Sequence, residues 1–146
     1  YHRAVNKPIH YNSKLYAGYM AGGTNALLDG YRGGLTYLDG RWQGYLDDLD
    51  CVIDMKEETD IRKVSVRFMQ LIGPGVFLPG QVELLTSEDG ENFVSRGIVP
   101  TTIPADDPNL LFQEYTFGGD WKARYVRIKA PRANPGFIFA DEIVVW

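Results

Sequence analysis

The chain holds 146 residues with a formal net charge of −4, and 45% of them are hydrophobic. That is enough for one domain with a full core, and it excludes a disordered chain. Its 16 Gly and 8 Pro punctuate too often for long helices, no basic tract offers itself to a phosphate backbone, and no apolar run reaches the roughly 18 residues that a membrane span needs.

Tyr1 is not a methionine, so the chain reads as a piece of a longer precursor. Residues 1–14 read as a linker or an N-terminal arm. Its histidines, His2 and His10, are eight residues apart with no Cys or acid pair beside them. They form no metal motif and are expected in solvent. The first ~45 residues carry Gly18, Gly22, Gly23, Gly30, Gly33, Gly34, Gly40 and Gly44 among Tyr and Leu. This segment is expected to be mostly loop.

Leu49, Cys51, Ile53 and Met55 alternate with Asp50, Val52 and Asp54, and Val64, Val66 and Phe68 alternate with Ser65 and Arg67. Both are period-2 patterns of half-buried strands. The polar stretch Lys56–Asp60 between them reads as a loop. Cys51 falls on the inward face as a small core residue; standing alone, it forms no internal disulfide. Asp47, Asp48, Asp50 and Asp54 lie in one strand and its lead-in, and read as a solvated outer face and not as a catalytic set.

IGPGVFLPG (72–80) displays Val76, Phe77 and Leu78 between Gly-Pro elements. Phe77 is open to four roles: sugar platform, membrane spike, interdomain contact or core plug. Val82, Leu84 and Thr86 begin another strand. In SEDGENF (87–93), Asp89-Gly90 signals a hairpin. PTTIPADDPN (100–109) is a loop. Gln113–Phe117, ARYVRIKA (123–130) and FIFADEIVVW (137–146) are strand-like, and Trp121 reads as structural. Seven or eight short strands without a helix make an all-β antiparallel sandwich.

The order NALLDGYRGG (25–34), DGRWQGY (39–45), LDCVIDM, SEDGENF, ARYVRIKA and FADEIVVW resembles the discoidin, or coagulation-factor 5/8 C-terminal, domain. Within that group it is similar to the family-32 carbohydrate-binding modules appended to bacterial hexosaminidases or chitobiases. The resemblance implies a jelly-roll sandwich of about eight strands over residues 1–146. It implies a non-catalytic module of an extracellular, periplasmic or surface glycoside hydrolase. The implied ligand is a terminal galactose- or N-acetylhexosamine-type sugar held by loops at one end. The other implied partner is the catalytic domain of the same precursor; nucleic acid is excluded and membrane lipid disfavoured. The resemblance also implies a structural calcium ion, with Asp29, Thr36 and Glu142 as its ligands. Calcium takes six to eight oxygens, and a Gly-rich loop can turn carbonyls inward. An Asp-Gly turn at Asp29 and a solvent-facing Glu142 are the plain alternative.

Sugars present C–H faces to aromatic rings and hydroxyls to charged groups. Tyr37, Asp39, Arg41, Trp42 and Gln43 supply that set in one loop, with Phe77 in a second and Arg132, Asn134 and Phe137 in a third. Trp42 is open to core packing as well as to stacking. A structural spacer that packs on its catalytic neighbour through Val76–Leu78 is the alternative function. A sandwich-fold hydrolase lacks the clustered acid–base set it would need.

Overall fold

The computed structural model describes residues 3–5, 7–12, 27, 43–45, 48–73, 75–133 and 137–146, with backbone alone at 43–45. Seven strands lie among them: β1 (Ile9–Tyr11), β2 (Gln43–Tyr45), β3 (Leu49–Gln70), β4 (Gln81–Ser87), β5 (Val94–Pro100), β6 (Leu111–Ala130) and β7 (Ile138–Val145). All pair antiparallel. The all-β antiparallel sandwich expected from the alternation is the architecture found.

The two long strands build both layers. The first half of β3 pairs with β1 and with the second half of β6; β4 and β5 follow. The second half of β3 lies between the first half of β6 and β7, with β2 beyond. Leu49, Cys51, Ile53 and Met55 from the first half meet Val64, Val66 and Phe68 from the second in one buried core, together with Tyr115, Val126, Ile128 and Ile143. Phe68 and Tyr115 meet edge to face at 5.6 Å. Trp121 packs against this core, as a structural residue should.

The expected loop Lys56–Asp60 is instead part of β3. The β3–β6 register shifts between Asp54 and Thr59 and again between Ile61 and Lys63. These bulges bend one continuous strand from one layer into the other. Lys56 takes a positive φ of 74° there, and its N–H donates to Asp54 Oδ1 at 2.8 Å. Gln113–Phe117 and residues 123–130, expected as separate strands, are likewise one strand, bent at Gly118–Trp121. Period-2 patterning sees the two apolar halves but cannot see that one strand runs through the bulges between them.

Two short strands fall where loop or arm was expected. Ile9–Tyr11 pairs with Cys51–Ile53, Ala4 is buried, and Gln43–Tyr45 pairs with Ile138–Ala140. His10 is exposed, and His2 lies outside the described residues. The Asp89-Gly90 hairpin joins β4 to β5, with Gly90 at a φ of +79°.

Chain direction then sorts the connections. Segments 71–80, 101–110 and 131–137, and the approach to β3 at Asp48, all join the layers at one end. The 88–93 hairpin, the two strand bends and Trp146 occupy the other.

Candidate functional site at the loop end

Gly75, at a φ of +87°, closes a tight turn. Its N–H donates to the Ile72 carbonyl at 3.0 Å, and Leu71 and Val76 exchange backbone bonds of 2.9 and 3.0 Å. Alternation past the turn sends Val76 and Leu78 inward, 1% and 2% exposed, and leaves Phe77 half-exposed. The displayed hydrophobic tip expected at 76–78 is therefore reduced to Phe77.

The third loop is tied to this one. Phe77 N–H donates to the Phe137 carbonyl, and Phe137 N–H to the Gly75 carbonyl, both at 2.8 Å. The Phe137 ring lies 5.6 Å from that of Phe139. Both belong to a small apolar cluster built on Met69, Val76 and Phe139, with Leu71, Leu110 and Phe112 at its margin. Gly80 N–H donates to the Pro131 carbonyl at 3.0 Å. A Cβ at Gly80 would stand 3.3 Å from that of Ala133, so the approach of the two loops uses the missing side chain. Arg132 is exposed, and its N–H donates to Asp48 Oδ1 at 2.7 Å.

The structure thus gathers Phe77, Phe137 and Arg132 at one end. The short strand Gln43–Tyr45 runs toward the same end, with Tyr45 opposite Ile138 there and Gln43 farther along the sheet, opposite Ala140. Asp29, Thr36, Tyr37, Asp39, Arg41, Trp42 and Asn134 lie outside the described residues. Glu142 does not face solvent: it is 2% exposed. The register places Asp141 and Glu142 together opposite Arg67, a bulge in β7. No group of three or more His, Cys, Asp or Glu side chains comes together for a metal among the described residues.

Sequence reading missed a cavity of about 280 Å³ on the flank of this end, lined in part by Asp48, Asp50, Gln81, Glu83, Lys129 and Pro131. These residues come from three strands and their leads, so no local motif marks them. Their outward parity in the ladder was the one available signal.

The expected solvated acidic face is also more ordered than that. Arg127 grips Asp50 at 2.9 and 2.7 Å, and Arg124 grips Asp54 at 2.9 and 3.1 Å. Burial pushes Asp50 up, but bonds from Arg127 and Asn12 outweigh it and hold the carboxyl below its ordinary value. Arg124 does the same for Asp54. These acids are structural partners of strand β6 and offer no proton for catalysis.

No family model and no curated protein sequence matches the chain. Solved structures do match. A chitosan-binding module derived from a chitosanase/glucanase of Paenibacillus sp. IK-5 is 15% identical, covers 100% of this chain and 98% of its own, and has a TM-score of 0.69. The chain has the fold of such binding modules. A Streptococcus pneumoniae fucose-binding module matches at 16% identity over 100% of this chain and 94% of its own, with a TM-score of 0.66. A Ruminococcus gnavus fucosidase in complex with fucose matches at 13% identity and a TM-score of 0.70, covering 100% of this chain but 26% of the fucosidase. The shared feature at these identities is the sandwich.

Proposed function

We propose that this chain is a non-catalytic carbohydrate-binding module of a larger secreted or surface glycoside hydrolase of the chitobiase or hexosaminidase kind. The observation that carries it is the joining of Phe77 and Phe137 through backbone bonds at the end where the inter-layer loops collect. A half-exposed ring offers an apolar platform to one face of a sugar, and Arg132, exposed at the same end, offers charge-assisted bonds to hydroxyls. Tyr37, Asp39, Arg41, Trp42, Gln43 and Asn134 complete the proposed site. The ligand is a terminal galactosyl or N-acetylhexosaminyl unit. The fold of the two solved modules, whose names specify chitosan and fucose, supports the binding class. Binding at one such site is weak. Tethering keeps the catalytic domain at high effective concentration on the glycan.

A structural calcium ion belongs to the same proposal, held by Asp29, Thr36 and Glu142. The burial of Glu142 supports it, because it makes this side chain a buried oxygen donor and not a solvent-facing acid. The spacer alternative keeps only Phe77 of its contact surface, since Val76 and Leu78 are already buried within this chain.

Titration of galactose, N-acetylgalactosamine, N-acetylglucosamine, fucose and chitosan oligomers into the protein tests the proposal. Saturable binding of a terminal galactosyl or N-acetylhexosaminyl sugar, weakened by Arg132→Ala, is expected. No binding of any of them at millimolar sugar overturns it.

A further inference from the structure

We infer that the opposite end of the sandwich carries a second ligand site, one that takes the carboxylate of a single hexuronic acid ring. A cavity of about 260 Å³ opens there, lined by Thr86, Ser87, Asp89, Asn92, Arg96 and Lys122 among others. It is smaller than the roughly 300 Å³ at which pockets for drug-sized ligands begin, and so suits one ring.

Arg96 is the extra residue of a bulge: Leu84 pairs with Gly97 and Leu85 with Ser95, which leaves Arg96 without a partner in the ladder. Bulges of this kind re-aim a side chain. Arg96 Nε donates to Thr86 Oγ1 at 2.8 Å, and the guanidinium lies 6.0 Å over the Trp121 ring. Trp121 in turn lies over Gly119, where a Cβ would come within 2.2 Å of the indole. The guanidinium is therefore anchored at one nitrogen and supported on one face. Among the described residues its two terminal nitrogens donate to no protein acceptor. That pair is the fork that binds a carboxylate in two parallel bonds. Lys122, with its side chain 68% exposed and its Nζ 3.9 Å from Asp60, adds an exposed second cation.

The opposite wall is acidic and rigid. Asp89 accepts from the N–H groups of Asn92 and Glu91, from Asn92 Nδ2 and from Ser87 Oγ. The Asn92 and Glu91 amides foremost hold its carboxyl well below the usual range, so it stays an acceptor. Glu88 stands beside it. Arg96 and Lys122 face Asp89 and Glu88, and Lys122 is shared with Asp60, so no net positive field draws a simple anion. A sugar acid satisfies both walls, its carboxylate on Arg96 and Lys122 and its hydroxyls donating to Asp89 and Glu88.

Titrating glucuronate into the isotopically labelled protein, with glucose and acetate at matched ionic strength, tests this by NMR. Glucuronate is expected to give saturable shifts at Thr86, Asn92, the Arg96 side chain and the Trp121 indole, and to leave Phe77 and Arg132 unmoved. Arg96→Gln is expected to weaken binding about tenfold and Lys122→Gln less. Lys122 is exposed and its replacement leaves the fold intact, so that variant reads the site alone. Three results each overturn the inference: no saturable shift at tens-of-millimolar glucuronate, equal shifts with acetate, or undiminished binding to both variants. Failure here leaves the loop-end site untouched, because the two sites report through different residues.

Discussion

Arg67 of β3 reaches Asp141 of β7 and donates to its Oδ2 from Nε at 3.1 Å and from Nη2 at 2.7 Å. Asp141 is fully buried and Arg67 is 22% exposed, with the guanidinium 5.0 Å over the Phe112 ring. Removing one member removes a two-bond ion pair at a fully buried carboxylate. Arg67→Met or Asp141→Asn should each destabilise the chain by about 3–5 kcal/mol, while an apolar pair of similar volume costs far less. Denaturant unfolding of both singles and the double variant measures the difference. Additive losses would show that the pair is not coupled.

Phe77 and Val76 are neighbours with opposite tasks. Phe77→Ala should weaken sugar binding roughly tenfold, about 1–2 kcal/mol, with little change in melting temperature. Val76→Ala should do the reverse, costing about 1–3 kcal/mol of stability through the cavity it leaves. Paired titration and thermal melts of the two variants separate the roles.

Asp50 and Asp54 both have carboxyls held below their ordinary value. Their unfolded counterparts titrate near 3.9. The unfolded chain therefore binds protons first as pH falls. Stability from these pairs is fully present above about pH 5 and is lost as pH drops through the lower folded values. Asp50→Asn and Asp54→Asn should flatten the acid limb of the stability curve. An unchanged acid limb in the double variant would assign acid unfolding to other groups.

Cys51 is fully buried, and burial first, then the Asp50 charge, pushes its thiol up to about 12. Only the thiolate reacts readily. A thiol reagent at neutral pH should leave the native protein unmodified and label one thiol after unfolding. Rapid labelling of the native chain would show that this core opens.

Glu142 ties the proposed calcium to stability. An ion bound to the folded state alone stabilises it by about 2.7 kcal/mol at a hundredfold excess over Kd. Chelation should lower the melting temperature, and Glu142→Gln should abolish the response. A melting temperature indifferent to chelator, calcium and this substitution removes the metal from the proposal.

Much of the sheet was legible locally. Leu49 to Met55, Val82 to Thr86 and residues 123–130 alternate strictly because one face is core and the other is not. Asp89-Gly90 marked the hairpin because its geometry needs a positive φ at glycine. Of the loops proposed for sugar binding, the two at 72–80 and 131–137 were legible as separate segments. Their junction was not, because the Phe77–Phe137 bonds are backbone bonds between segments about sixty residues apart, and such bonds leave no mark in side-chain pattern.

The sequence by itself determined the fold class, the inward set with Cys51 among it, and the loops rich in aromatics and arginine. Period-2 burial and turn chemistry act over a few residues, so composition and spacing record them. Tertiary structure alone decided the rest. It made β3 and β6 continuous through bulges, turned Asp50 and Asp54 into arginine partners, folded Val76 and Leu78 away from the surface, buried Glu142, and left the fork of Arg96 open over Trp121. Each outcome depends on which strand lies alongside. Pairing partners far apart in the chain are chosen by the burial of the whole core, and no short window of sequence contains that choice.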